Sequence, residues 1–272
     1  VLWGVNGVVT RSMFQHRIDP AHLVQVRMIL GGLALLPIAL LRRERVSRRD
    51  LPRLAIYAAC MAVAQITFFK ALQLAGVAIA IFLQYTSPLL VAAWEGIRAR
   101  QAPSRALSLS LAIAATGSAL LVLPGGGLRV SAAGIACGIG SAVSISATTV
   151  LAGALRRRGT GSASLVAGGL LLGSLAFLPL RAPWSALTAI SAPEWPSFLY
   201  VALLATALPF ALFASALSRL RGTTATLLAM LEPVLGSALA WIFLGEPLSA
   251  IQLAGGGCIV AAVALVAGTS RT

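Results

Sequence analysis

Polar side chains are scarce in this chain, and the few that fall inside long apolar stretches set the chemistry open to it. Trp3, Asn6 and Thr10 recur at a spacing that puts them on one helical face, and Ser141, Ser144 and Thr148 form a similar stripe later in the chain. Such a stripe either lines a polar cavity shielded from lipid or bonds back to its own helix carbonyls and joins helices together. Gln65 lies one turn before Phe68, and Gln84 precedes Tyr85. Amides can hold an amino or carboxyl group, and aromatic rings supply an apolar wall or a face for a cation. The counterparts of these residues in the later half are Phe210, Phe213, Ala229 and Met230. Simple packing would also account for the phenylalanines. The substrate-binding set expected from residue type and spacing is therefore Trp3, Asn6, Gln65, Phe68, Gln84, Tyr85, Ser144, Phe210 and Met230.

Three further residues are expected to act as hinge or coupling elements. Pro88 and Pro233 each lack an N–H and should kink a helix near mid-membrane, freeing a carbonyl. Glu232 directly precedes Pro233, and a carboxylate at that depth is a functional candidate by default because ionising it in hydrocarbon is costly. Two roles stay open for it: proton coupling, or a hydrogen-bonding role beside the proline. The second is preferred, so Glu232→Gln should retain substantial transport. Arg27 and Lys70 could meet an anion, yet either can instead snorkel to the outer interface or simply pack within the protein. Glu95 precedes Arg98 by three residues, for which a helical ion pair is the simplest account. No metal centre is expected: the seven acidic residues do not cluster, and the two histidines, His16 and His22, share one connection without further ligands. Cys60, Cys137 and Cys258 all sit in apolar runs and read as small buried hydrophobes.

The elements that must position these residues are membrane spans. The 272 residues are 58% hydrophobic and 10% charged, with a mean hydropathy of +0.92, where soluble domains carry about 25% charged residues. Apolar runs of about 18 to 22 residues recur along nearly the whole chain. Helices are expected near 1–16, 22–41, 53–72, 76–97, 106–123, 131–154, 163–180, 197–217, 223–244 and 249–268, an all-α membrane protein of about ten spans. The net charge of +14 does not point to nucleic acid, because the arginines lie in short connections rather than in a basic patch interleaved with aromatics. No cleavable signal pattern is visible, and the short opening segment points to a trimmed or disordered natural N-terminus.

Charge orients the spans. Arg42, Arg43, Arg45, Arg48, Arg49 and Arg53, then Arg98, Arg100 and Arg105, then Arg156, Arg157 and Arg158, then Arg219 and Arg221 all fall on one side of the expected topology. The other side holds Arg17, Lys70, Arg129 and Arg181. The positive-inside rule places both termini in the cytoplasm of a cell whose inner (plasma) membrane carries the protein. Trp184 and Trp195 in the outer loop fit an interfacial belt. Pro124-Gly125-Gly126-Gly127 is a tight connection between halves and not a phosphate loop, since no lysine or strand accompanies it.

The halves repeat. Setting Pro88 against Pro233 aligns Ala71-Leu72 with Ala216-Leu217 and Gln101 with Glu246, and Gly31 to Pro37 matches Gly173 to Pro179 in the same order. Residues 1–124 and 128–270 would then each form a five-helix repeat, and an odd number of spans inverts the second relative to the first. Inverted repeats are a transporter architecture, with the solute near the midplane between them and access alternating by rocking. With Trp3-Gly4, Arg27, Phe69-Lys70-Ala71-Leu72, Leu231-Glu232-Pro233 and Leu244-Gly245-Glu246, the chain resembles the drug/metabolite transporter superfamily, specifically its EamA-type ten-helix group. The first half departs from the pattern, with Ser87 where Glu232 stands and Gln101 where Glu246 stands. The resemblance implies a transporter without a cofactor, often an exporter of amino acids or related metabolites. It also places the small-residue spans 5 and 10 (Ala112, Ala115, Gly117; Gly255, Gly256, Gly257, Ala261) outside the transport core. There they could support a weak homodimer, although close packing inside a monomer explains them equally.

A membrane-embedded enzyme would need clustered acids, metal ligands or an activated nucleophile, none of which is present in sequence. Efflux of lipophilic cations would need an acid in the first span, and exchange of phosphorylated or nucleotide-linked sugars would favour midplane basic residues. A secondary transporter or facilitator of a small zwitterionic or neutral metabolite, with amino-acid export foremost, fits the amides, hydroxyls and aromatics best.

Overall fold

The structure is a computed structural model that describes residues 19–122, 131–179, 182–188, 190–244 and 248–269. Trp3, Asn6 and Thr10, the Pro124–Gly127 connection and Glu246 lie outside them. All regular structure among the described residues is helical: α1 Pro20–Leu41, α2 Leu51–Ala75, α3 Val77–Gln84, α4 Ser87–Ala99, α5 Arg105–Val122, α6 Ala132–Arg157 and α7 Ser162–Ser174 come first. They are followed by α8 Pro183–Thr188, α9 Trp195–Leu199, a π-helical stretch Tyr200–Ala207, α10 Leu208–Ala216, α11 Gly222–Ala229, α12 Leu231–Leu244 and α13 Ala250–Thr269. Among the described residues five stretches are long and apolar enough to cross a membrane: Pro20–Leu41, Arg48–Ala75, Ala132–Arg157, Ala192–Ala216 and Ala250–Gly268. Large apolar side chains such as Leu41, Ile97, Trp241, Ile242 and Leu253 are exposed on the helix surfaces, as lipid contact requires.

Two expected spans differ in form. The run expected at 76–97 is two helices, α3 and α4, and that at 223–244 is likewise divided into α11 and α12. The cause is in the sequence: Pro88 and Pro233 each fall within the first three residues of the downstream segment, where a missing N–H goes unused. Each proline thus begins a helix instead of bending one. Gly76, at φ +85°, allows the tight junction between α2 and α3.

The described chain forms two compact units, neither of which is a sequence half. One takes the described residues up to Ile66 with those from Ala147 to Leu220; the other takes Thr67 to Ser146 with those from Arg221 onward. In the first unit α1 packs on α7 and on the π-helical stretch. A Cβ at Gly173 would lie 2.5 Å from Met28 Cε and 2.8 Å from the Ala58 carbonyl, so only hydrogen lets these helices approach. Its buried core includes Leu23, Met28, Tyr57, Leu165, Leu170 and Phe198. In the second unit α5 packs along α13. A Cβ at Gly117 would lie 2.7 Å from the Gly255 carbonyl oxygen, and one at Gly255 would lie 2.7 Å from that of Gly117. In lipid, where burial of apolar surface gives no drive, such close contacts carry helix association.

Acidic residues fix the helix ends. Asp19 accepts from the His22 N–H at the start of α1. Glu44 accepts from the Ser164 N–H at 2.8 Å in the first turn of α7. Asp50 takes Arg53 at 3.1 Å and Arg158 at 2.6 Å. Glu194 closes a capping box with Ser191. Glu95 corrects the expectation from sequence: its carboxylate accepts from the Gly222 N–H at 2.9 Å and the Thr223 hydroxyl at 2.8 Å, with Arg221 at 3.7 Å and no ion pair to Arg98. It caps α11 because a helix N-terminus offers unused N–H donors and a positive pole, a stronger attraction than one exposed arginine.

Candidate functional site

One group of polar residues gathers around the two helix breaks of the second unit. At the first break α3 ends through a Tyr85 N–H bond to the Ile81 carbonyl at 2.9 Å. Thr86 then folds its hydroxyl back onto the Leu83 carbonyl at 2.6 Å. This turn leaves Gln84 and Tyr85 on the short junction ahead of Pro88. The Gln84 Nε2 donates to the Ser141 hydroxyl of α6 at 2.9 Å. The Ser87 carbonyl accepts from the Ser146 hydroxyl at 3.3 Å. The Tyr85 phenol donates to the carboxylate of Glu232, beside Pro233 at the second break. Tyr85, Leu231 and Val234 all pack against one buried cluster that contains Ala92, Leu227, Met230 and Ile259. The two breaks therefore share one core.

Of the residues singled out from sequence, this geometry brings together Gln84, Tyr85, Met230, Glu232, Pro88 and Pro233, with Ser141 from the serine stripe. Met230 is 2% exposed within the apolar cluster. Ser144 is half-buried on α6, and Phe68 is half-buried with its ring edge-on to Phe69 at 5.5 Å between centroids. Gln65 and Phe210 belong to the other unit. Gln65 is buried, and its Nε2 makes no hydrogen bond to a described residue; Phe210 is half-buried.

The first unit holds a polar arrangement that spacing alone did not reveal. Arg27 does not snorkel: it is 3% exposed. Its Nε donates to Thr206 Oγ1 at 2.8 Å and its Nη2 to the Ala205 carbonyl at 3.2 Å. Thr206 donates in turn to the Val201 carbonyl at 2.6 Å, five residues back within the π-helical stretch. In the sequence the place is marked by Pro209, at the point where the π-helical stretch gives way to α10. Lys70, by contrast, is exposed. Among the described residues no group of three or more His, Cys, Asp or Glu side chains could hold a metal ion.

Fold and site together define a polytopic α-helical membrane protein with its polar interior arranged at broken helices, an architecture used for solute passage. The EamA-like transporter family model matches residues 1–123 and 132–268. The chain belongs to that family and has its all-α, two-repeat membrane fold. It is 27% identical over 280 residues to the inner membrane transporter YicL of Salmonella typhimurium, covering 100% of this chain and 93% of that protein. It is 32% identical to the threonine/homoserine exporter RhtA of Escherichia coli K12, covering 87% of this chain and 78% of that one. A solved crystal structure superposes with a TM-score of 0.80 at 19% identity, covering 99% of this chain and 94% of that one, which shows the shared fold. The protein is a multi-pass membrane transporter.

Proposed function

We propose that this transporter exports small amino acids or closely related zwitterions across the inner membrane. It works by alternating access between two inverted five-helix repeats, residues 1–124 and 128–270, with both termini cytoplasmic. The observation that carries the reading is the similarity to a threonine/homoserine exporter over most of both chains. The polar groups at the helix breaks support it: an amide, a phenol, a hydroxyl and one carboxylate can hydrogen-bond a small polar solute, while the surrounding wall is apolar. Strong polyanions such as sugar phosphates would meet a carboxylate there.

The test is counterflow in proteoliposomes loaded with unlabelled threonine, homoserine, serine, alanine, leucine or a sugar phosphate. Labelled threonine is supplied outside. Small hydroxylated or aliphatic amino acids should drive uptake at least tenfold above empty liposomes, and the sugar phosphate should not. Equal exchange with every solute, or exchange with the sugar phosphate alone, would refute amino-acid export.

A further inference from the structure

We propose that Glu232, with Gln84 and the carbonyl ends of α3 and α11, forms the subsite that binds the ammonium group of the transported solute. The inference rests on the amino-acid reading and makes it more specific: it names the charged group recognised and the residue that recognises it.

Every other acid among the described residues is committed elsewhere. Asp19, Glu44, Glu95 and Glu194 satisfy N–H donors at helix or turn starts, and Asp50 is paired with two arginines. Glu232 differs. It stands inside a membrane helix, its described partner is the neutral phenol of Tyr85, and no described Lys, Arg or His forms an ion pair with it. Carboxylates within spans face the bundle interior or a cavity and mark solute or ion pathways.

The backbone around it favours a cation. Helices α3 and α11, eight residues each, both end at the breaks, so each directs its negative pole and its unused carbonyls there. Neither has a basic residue in its last turn. Pro88 and Pro233 supply no N–H to the carbonyls four residues earlier, those of Gln84 and Ala229. The downstream helices present the opposite pole, but a proline removes one N–H from the first turn of each. Glu232 itself sits over the start of α12. Because Gln84 Nε2 is held by Ser141, the amide oxygen Oε1 is its remaining acceptor. The junctions thus collect a carboxylate, an amide oxygen and backbone carbonyls, all acceptors. An alkylammonium group carries three donors and no acceptor, which is the complement of this set. Tyr85 positions the carboxylate and does not itself supply charge.

The experiment uses the full chain, purified in detergent and reconstituted. In detergent, thermal stability is read with millimolar n-propylammonium chloride or sodium propionate. In proteoliposomes, KM and kcat for threonine counterflow are compared among wild type, Glu232→Gln and Tyr85→Phe. Propylammonium should stabilise the wild type and compete with threonine, and propionate should do neither. Glu232→Gln should raise the threonine KM at least tenfold with kcat changed less than threefold, and should abolish stabilisation by propylammonium. Tyr85→Phe, which keeps the carboxylate, should raise KM less than fivefold. Failure of propylammonium to bind the wild type overturns the proposal, whether or not the Gln variant folds. So does an unchanged KM in folded Glu232→Gln. If the wild type moves no amino acid yet binds propylammonium through Glu232, the subsite stands and the export reading falls.

Discussion

Replacing Gly117 by alanine tests the packing argument where the close neighbour is backbone. A Cβ there would lie 2.7 Å from the carbonyl oxygen of Gly255 and 2.9 Å from both Cys258 Cβ and Ile259 Cγ1, where ordinary contact begins at 3.4 Å. The difference, 3.4 minus 2.7, requires α5 and α13 to separate by about 0.7 Å, because the blocking atom is backbone and cannot rotate away. Overpacking of this kind costs about 1–3 kcal/mol. The loss is felt in full, since van der Waals contact is the main force holding two apolar helices together in lipid. Gly257 is the internal control, on the same helix with nothing within 4 Å of its Cβ position. The assay is the fraction of monodisperse protein recovered from size-exclusion chromatography after heating through a temperature series. Gly117→Ala and Gly255→Ala should each lower the midpoint. The double variant should fall short of the sum, since both clashes are relieved by the same separation. Gly257→Ala should match wild type. A midpoint for Gly117→Ala equal to that for Gly257→Ala would refute the close contact between α5 and α13.

Glu95→Ala removes two hydrogen bonds from the start of α11 and should cost about 1–2 kcal/mol of stability in the same assay. Arg98→Ala should cost almost nothing, and equal losses would restore the ion pair expected from sequence. For orientation, single cysteines in a background lacking Cys60, Cys137 and Cys258, placed in the 42–47 connection and at 191–193, should react with an impermeant maleimide from opposite sides of the membrane. Labelling from the same side would overturn the assignment of the arginine-rich connections to the cytoplasm.

Much of the architecture was legible in the chain itself. Helical spans follow directly from composition, because lipid forces every backbone group to be satisfied within its own segment, and an apolar run of sufficient length has no other solution. Pro88 and Pro233 marked the midpoints of two spans from the absence of an N–H alone. Gln84, Tyr85 and Glu232 stood out as polar groups in apolar surroundings. Sequence did not reveal which of them meet. That Tyr85 reaches Glu232 across a separation of 147 residues, and Gln84 reaches Ser141 across 57, depends on helices packing at particular registers.

Tertiary structure also overturned one local inference and settled another that the sequence left open. A three-residue spacing made Arg98 the natural partner of Glu95, but local spacing gives only a weak exposed pair, whereas the start of α11 brings unused N–H donors from more than a hundred residues away. Arg27 looked able to reach the interface because its distance from the helix end permitted it. In the fold it is buried against the π-helical stretch, where Thr206 and the Ala205 carbonyl accept from it. The sequence by itself determined which segments are apolar enough for membrane helices and which residues are too polar to face lipid, since both follow from solvation of single residues and segments. Only the tertiary structure decided which acids are committed to helix caps and that Glu232 is not among them, since that depends on which donors the packed helices bring within reach.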